Sequence, residues 1–430
     1  MNRIWLILFG DFLSFWVSFF ILFNIRLGNA TPANILNVHL TTFSILYICW
    51  TIIFLLFGLY ELSNIKPTIL QIQRTSLALF FCFFIGISLF YLVPFFGITP
   101  KTNLLLQVIF FGFISFILRR IIYSFFSKQN VRKAILIGET NYINELYQII
   151  NTNPQIGLKI IYKTKDLQEV LKKYSNLENS VFIFESINQE IPDKEILNLY
   201  KNKVEIIDIA EAYEKYLFKI PIYYINKSWV IKNINTKKDF LYDSVSRFFN
   251  IIFSIFILIV TLPFTIISLI FIYLYDNGPV FYKQERIGLN GKIFELYKLR
   301  SMVLDSEKNG AVWSEQNDTR ITPIGKIIRK IHIDEIPQMI NILKGDIALV
   351  GPRPERPEFV SSLEKTIPYY NLRHTIRPGF TGWAQIKYRY ARTVEDTKEK
   401  FQYDLYYMKN KNIFIDFGII LRTIQIIFLH

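Results

Sequence analysis

The chain is poor in the residues that build metal clusters and covalent cross-links. Among 430 residues there are two cysteines, Cys49 and Cys82, and four histidines. Both cysteines lie in apolar runs, which excludes a disulfide framework or a CxxC metal site and leaves them as buried apolar thiols. The glycine fingerprint of dinucleotide-binding folds is missing too: Gly138 is followed by Glu-Thr-Asn-Tyr, with no second or third glycine to let a pyrophosphate approach. Acidic residues are scarce at the start, where residues 1–133 hold 2 of them against 10 basic ones. No DxD carboxylate pair occurs anywhere.

Apolar and aromatic residues are abundant instead. The chain is 51% hydrophobic, with 40 Phe and 25 Tyr, and carries a formal charge of +14. That composition points to a membrane protein, and a chain so anchored is not expected to bind nucleic acid; the basic surplus suits anionic lipid and phosphate ligands. Four apolar runs, Ile4–Ile25, Leu40–Tyr60, Ser76–Phe96 and Leu104–Phe126, each reach the ~20 residues that cross a bilayer as a helix. Asp11 inside the first run is expected to face a neighbouring helix. The loop Leu27–His39 has no Lys or Arg, the next carries Lys66 and Arg74, the third only Lys101, and the last run is followed by Lys128, Arg132 and Lys133. The positive-inside rule therefore places the N-terminus and residue 130 in the cytoplasm.

A polar middle segment follows. Val131–Gly138, Ser180–Phe184 and Val204–Ile209 read as strands and Tyr142–Asn151 as a helix, which predicts a small doubly wound, Rossmann-like α/β unit. A fifth apolar run, Phe248–Tyr275, contains Pro263 and has Lys237, Lys238 and Arg247 before it and Lys283 and Arg286 after it. Cytoplasmic flanks on both sides suit a helix broken at Pro263 that re-enters the same leaflet; a plain fifth span with a proline kink is the other reading. Ile413–His430, apolar with Asp416 and Arg422, reads as an interfacial amphipathic helix.

The dense motifs lie in the last third. Arg329-Lys-Ile-His-Ile-Asp-Glu-Ile-Pro337 precedes helical apolar spacing at Met339, Ile340, Ile342 and Leu343. Proline is tolerated in a first helical turn, so Pro337 predicts that Asp334 and Glu335 stand at a helix N-terminus, about 100° apart. Alone, such a pair is usually a helix cap. Here, however, Gly351-Pro-Arg353-Pro-Glu355 follows, then Arg377-Pro-Gly-Phe-Thr-Gly-Trp-Ala-Gln385, and Lys298-Leu-Arg300-Ser-Met302 precedes. Several cations near two carboxylates suit transfer of a phosphate-bearing group.

From about Phe248 onward these motifs resemble the bacterial sugar transferase family, the monotopic polyprenyl-phosphate phosphoglycosyl transferases. Asp276-Asn-Gly-Pro-Val280, Lys298–Met302, Asp334-Glu335, Lys344-Gly-Asp346, Gly351–Glu355 and Tyr403-Asp-Leu-Tyr-Tyr407 carry the match. Four spans and an α/β unit before them look like the large members, which begin exopolysaccharide or O-antigen assembly. The resemblance implies that a sugar-1-phosphate passes from a UDP-sugar to undecaprenyl phosphate in the bacterial inner membrane, on its cytoplasmic face, releasing UMP. It implies Asp334 as nucleophile and Glu335 as a Mg²⁺ ligand. It also implies Arg329, Arg353, Lys298, Arg300, Arg377 and Glu355 as phosphate- or substrate-binding residues, and Pro263 as the re-entrant helix break. The larger members imply a homodimer. Leu262, His332-Ile333 and the Ile386–Arg389 stretch depart from the family's usual residues.

The expected architecture is a multi-domain membrane protein: four transmembrane helices over 1–130, the Rossmann-like domain over 131–240, and over 241–430 a re-entrant helix (248–275) with a mainly helical α+β catalytic domain. Two alternatives remain at this level. One is a membrane sensor or scaffold of polysaccharide assembly, in which the carboxylates only cap a helix. The other is a glycosyltransferase acting on a lipid-linked sugar and releasing UDP.

Overall fold

The computed structural model describes residues 2–27, 33–60, 69–92, 101–128, 132–153, 156–165, 169–170, 178, 180–185, 197, 199–234, 240–304, 306, 318–388 and 393–429. Lys66, Lys237, Lys238 and Arg389, used in the sequence reading, lie outside them. The chain divides into two compact units, Met1–Ala212 and Tyr213–His430.

The first unit opens with four helices: α1 (Asn2–Leu27), α2 (Ala33–Leu56), α3 (Ile69–Leu92) and α4 (Lys101–Lys128). Each contains a stretch long and apolar enough to cross a membrane. In hydrocarbon a polar group must find its partner inside the protein, and the helices comply. Gln107 Nε2 donates to Phe15 O at 2.9 Å and Ser18 Oγ at 2.8 Å, and Trp50 Nε1 donates to Cys82 O at 2.9 Å. Between these bonds the rings of Phe15, Trp50 and Phe111 pack 5.4–5.8 Å apart. Asp11 has its expected partner: its carboxylate binds Arg119 of α4 and accepts from Ser115 Oγ at 2.5 Å, and both charged side chains are 2% exposed.

Four parallel strands follow in the order β2-β1-β3-β4: β1 (Arg132–Ile137), β2 (Leu158–Thr164), β3 (Val181–Phe184) and β4 (Glu205–Asp208). Helix α5 (Asn141–Thr152) connects β1 and β2. The central strand β3 and the Ala134–Ile137 stretch of β1 are wholly buried, which their apolar sequences require. β2 was not legible in the sequence because Lys159 and Lys163 interrupt its apolar pattern; it is an edge strand, where lysines are tolerated. At the turn after β1, Glu185 Oε2 accepts from the amides of Glu139 and Thr140 at 2.9 and 3.3 Å. A carboxylate of the chain itself thus occupies the place where a glycine fingerprint would seat a phosphate.

The second unit begins with a π-helical turn, Tyr213–Leu217, and α6 (Lys227–Asn233). Ile220 and Ile225 of this segment are buried against Val360, Leu363, Ile367, Tyr370, Phe401 and Leu405. Helix α7 (Phe240–Asp276) is 37 residues long, about 55 Å at 1.5 Å per residue. The backbone stays helical through Pro263, so the expected break does not interrupt the secondary structure. Proline removes the amide that would bond the Ile259 carbonyl, while the hydroxyls of Thr261 and Thr265 bond the carbonyls of Ile257 and Thr261 at 2.6 and 2.9 Å. One face of α7 packs on the rest of the unit: Phe253 and Ile257 before the proline join one core cluster, Leu269 and Ile272 after it another. The opposite face leaves Phe256, Ile259, Leu262, Phe264 and Phe271 exposed.

Beyond α7 come the antiparallel hairpin β5 (Phe281–Ile287) and β6 (Ile293–Leu299), then α8 (Pro323–Lys330), α9 (Gln338–Lys344) and β7 (Ala348–Val350). After α10 (Pro357–Thr366), strand β8 (Gly379–Thr381) pairs parallel with β7, and α11 (Trp383–Lys387), α12 (Val394–Asn410) and α13 (Ile413–Leu429) complete the unit. Thr393 and Asp396 form a reciprocal capping box at the start of α12.

Candidate active site

The carboxylate pair sits at a reversal between two helices. Thr322 Oγ1 caps α8 by accepting from Gly325 N at 2.9 Å, with Pro323 in the first turn, and Arg329 and Lys330 favour its C-terminal end. His332 then adopts the left-handed conformation, φ 58° and ψ 19°. Asp334 and Glu335 follow in a separate 3₁₀ turn, Ile333–Glu335, and α9 begins only at Gln338. The pair thus stands just ahead of the helix start, and Pro337, expected in the first turn, precedes α9 as its cap residue. Ile333 anchors the turn by packing with Leu299, Ile328 and Ile272 of α7.

Asp334 is 6% exposed. Glu335 Oε1 accepts from Lys298 Nζ at 2.9 Å and from Arg353 Nη2 at 2.7 Å. The two cations reach it from different supports, Lys298 from β6 and Arg353 from the proline-bracketed loop after β7. Burial raises the Asp334 carboxyl, and the charge of Glu335 adds to the effect; Lys298, Arg329 and His332 oppose it. Burial acts upward on Glu335 as well, but Arg353 and Lys298 overcome it and hold that carboxyl well below the usual range. Burial lowers the Lys298 ammonium, and pairing with Glu335 raises Arg353. Two neighbouring carboxyls pushed apart in this way suit two different tasks.

The other expected residues divide. Arg329 donates from Nε to Ser301 Oγ at 2.7 Å and its charge bears on Asp334, so it belongs to the cluster. Arg300 is bound to Asp276 at the end of α7, over Gly278, where a Cβ would stand 2.2 Å from its Nη1. It ties the hairpin to the helix and does not reach the carboxylate pair through any ion pair found here. Glu355 lies between Arg286 and Arg373 at 3.8 and 3.9 Å, and its charge also bears on Arg353. The Arg377 side chain is exposed, and its carbonyl stands 2.5 Å from where a Cβ on Gly351 would sit.

Arg373 was missed. It is 6% exposed and binds Asp404 Oδ2 at 3.0 Å, the Tyr370 hydroxyl at 2.6 Å and the Arg353 carbonyl at 2.9 Å. Its only sequence signal is an arginine four residues before Arg377 in a loop already rich in motifs.

Among the described residues no three His, Cys, Asp or Glu side chains gather into a metal cluster. Mg²⁺ needs less from the protein, because it usually takes one or two carboxylates and completes its shell with water and substrate phosphates. Both cations bind the same Glu335 oxygen, Oε1. Oε2 takes neither of these bonds and is the oxygen that would hold a divalent ion.

A family model for bacterial sugar transferases matches residues 241–430. EpsL of Bacillus subtilis, described as a sugar transferase, is 38% identical over 185 residues, covering 42% of this chain and 86% of that protein. The chain belongs to the bacterial sugar transferase family. Other family relatives carry more specific descriptions. A UDP-N-acetylgalactosamine-undecaprenyl-phosphate N-acetylgalactosaminephosphotransferase of Aeromonas hydrophila is 36% identical over 238 residues, 51% of this chain and 56% of its own length. A UDP-glucose:undecaprenyl-phosphate glucose-1-phosphate transferase of Klebsiella pneumoniae is 27% identical over 313 residues, 69% of this chain and 67% of that protein. Within this sugar transferase the family match starts at residue 241, yet Ile220 and Ile225 upstream belong to the same core.

Proposed function

We propose that this protein transfers a sugar-1-phosphate from a UDP-sugar to undecaprenyl phosphate, giving undecaprenyl-diphosphate-sugar and UMP, at the cytoplasmic face of a bacterial inner membrane. The observation that carries the reading is the Asp334–Glu335 turn. Two adjacent carboxyls have opposed ionisation tendencies, three cations surround them, and the turn packs directly on the apolar helix α7.

In the proposed first step an Asp334 oxygen attacks the sugar-bearing phosphorus. The bond from that phosphorus to the bridging oxygen breaks, and UMP leaves with the electron pair. Undecaprenyl phosphate then attacks the same phosphorus with one of its oxygens, and the phosphorus–Asp334 bond breaks to regenerate the carboxylate. No external proton or co-reactant is required. Arg353, Lys298 and Arg329 offset the charge gathered on the phosphate oxygens, and they are fixed before substrate arrives because each already has a partner in the fold. Glu335 would hold Mg²⁺, which supplies charge neutralisation to the diphosphate when bound.

A re-entrant α7, bent at Pro263, belongs to the same proposal. Arg247 donates to the carbonyls of Ile342 and Leu343 at 2.5 and 2.6 Å, and Asp276 binds Arg300, so both ends of α7 contact one polar body. A helix crossing the bilayer would put those ends on opposite sides. Over the whole chain we propose a four-helix membrane bundle, a Rossmann-like unit of scaffolding or regulatory role, and this membrane-seated transferase unit.

The test is nucleotide release by the purified protein with Mg²⁺, undecaprenyl phosphate and a panel of UDP-sugars. UMP from one sugar, absent in Asp334→Asn, supports the proposal and names the donor. UDP in place of UMP overturns it in favour of a lipid-linked glycosyltransferase. No nucleotide from well-folded protein overturns it in favour of a scaffold.

A further inference from the structure

The loop that carries Arg353 is held in an unusual way. Pro352 and Pro354 have no amide hydrogen, so Gly351–Glu355 cannot be fixed by a regular ladder of its own N–H groups. Four consecutive carbonyls are gripped from outside instead. Pro352 O accepts from Gly379 N at 2.9 Å, Arg353 O from Arg373 Nη2 at 2.9 Å, Pro354 O from Arg286 Nη1 at 2.9 Å, and Glu355 O from Ile287 N at 3.0 Å. Gly351 N closes the set by donating to Thr381 O at 2.9 Å. Two of the four donors are arginine side chains, and Arg373 is itself locked by Asp404 and Tyr370, with its guanidinium 5.0 Å from the Tyr370 ring centroid.

We infer that Arg373, clamped by Asp404, is a positioning residue for Arg353: it grips the Arg353 carbonyl from behind the loop so that the guanidinium in front is presented to Glu335 and to the substrate diphosphate. The inference rests on the reaction proposed above for its kinetic consequence, but not for its structural one. Arg353 is one-third exposed, and among the described residues its side chain pairs with Glu335 alone. Its aim is therefore set mainly by its backbone, and that backbone is set by Arg373 and Arg286. A charged partner with buried supports of this kind typically changes activity 10- to 100-fold when a support is removed, as outer partners of catalytic ligands do.

The experiment pairs a double-mutant cycle with hydrogen exchange, using the full chain in detergent or nanodiscs. Arg373→Gln, Arg353→Ala and the double variant are compared for kcat/KM of UMP release, and Arg286→Gln replaces Arg373→Gln if the latter melts without a cooperative transition. Arg373→Gln is expected to lower kcat/KM about 10- to 100-fold, and the double variant to be no worse than Arg353→Ala alone within about threefold. Losses that multiply overturn the inference, because Arg373 would then act independently of Arg353. Exchange at the Gly351 and Gly379 amides is expected to rise at least about tenfold in Arg373→Gln, with α8 unchanged. Unchanged exchange at those two amides also overturns it, whether or not the protein releases UMP. Silence of the wild-type protein alone counts against the reaction and leaves the exchange result to decide this point.

Discussion

Asp334 and Glu335 are neighbours in the chain, yet their surroundings push their carboxyls in opposite directions, Asp334 upward by burial and Glu335 downward through Arg353 and Lys298. A raised carboxyl is a more basic nucleophile and a costlier charge than a free one. A depressed carboxyl stays ionised and suits cation binding. One 3₁₀ turn therefore separates two roles that free side chains of this kind would share.

The first expectation concerns Asp334→Asn. A carboxyl whose folded pKa is raised weakens stability as pH climbs from the ordinary aspartate value through the raised one. At pH 7 the wild type carries that cost and the amide does not. Asp334→Asn should be more stable than wild type at pH 7, with the gap closing as pH falls toward the ordinary aspartate value, while UMP release falls by at least about 10³-fold. Melting curves at both pH values and a nucleotide assay check the pair of outcomes. Full activity in Asp334→Asn would remove the nucleophile.

Glu335→Gln should behave in the opposite sense. A depressed carboxyl contributes stability above its ordinary value and loses it as pH falls through the depressed one. Removing the charge leaves Lys298 and Arg353 facing each other without an anion. The expected cost at pH 7 is about 1–3 kcal/mol, shrinking as pH drops below the ordinary glutamate range. Urea midpoints across pH 3–8 measure it, and a pH-independent cost would argue against the ion-pair account.

Cation dependence gives a third check. EDTA should abolish UMP release and Mg²⁺ restore it, and Glu335→Gln should raise the half-saturating Mg²⁺ concentration about tenfold or more. An unaltered requirement in that variant would place the cation on other ligands.

The site was more legible than the turn that builds it. Asp334, Glu335 and Arg353 stood out from charge and proline spacing, while the family resemblance assigned their roles and added Lys298 and Arg329. Arg300 and Glu355 carry the same residue types in the same motifs but are neutralised elsewhere, by Asp276 and by Arg286 with Arg373. Sequence spacing does not say which partner a charge will choose. Arg373 was invisible because its work is done through a backbone carbonyl. The apolar helices were plain from run length alone. The core role of residues 213–234 was not, since Ile220 and Ile225 gain their meaning only from Val360 and Phe401 far along the chain.

His332 supports a fourth prediction. A non-glycine residue in the left-handed region costs about 1 kcal/mol, so His332→Gly should raise stability by about 0.5–1 kcal/mol if its role is to turn the chain. UMP release should stay within about threefold. A large loss of activity with a gain in stability would show instead that the imidazole serves the reaction.

The upstream segment supplies a fifth. Ile220 is 1% exposed and Ile231 81%. Ile220→Ala should destabilise the transferase unit by about 2–4 kcal/mol and Ile231→Ala by less than about 0.5 kcal/mol, read as shifts in denaturant midpoint. Equal, small effects would separate this segment from the transferase core.

The buried Asp11–Arg119 pair sets a condition on how the protein is made. Its two members stand 108 residues apart, so the acid of the first helix is synthesised long before the base that neutralises it. A lone charge at mid-bilayer costs about 2.5–3.5 kcal/mol during insertion. The first helix thus arrives carrying a cost that only the fourth can offset. A chain that stalls in between keeps an uncompensated carboxylate in its first helix.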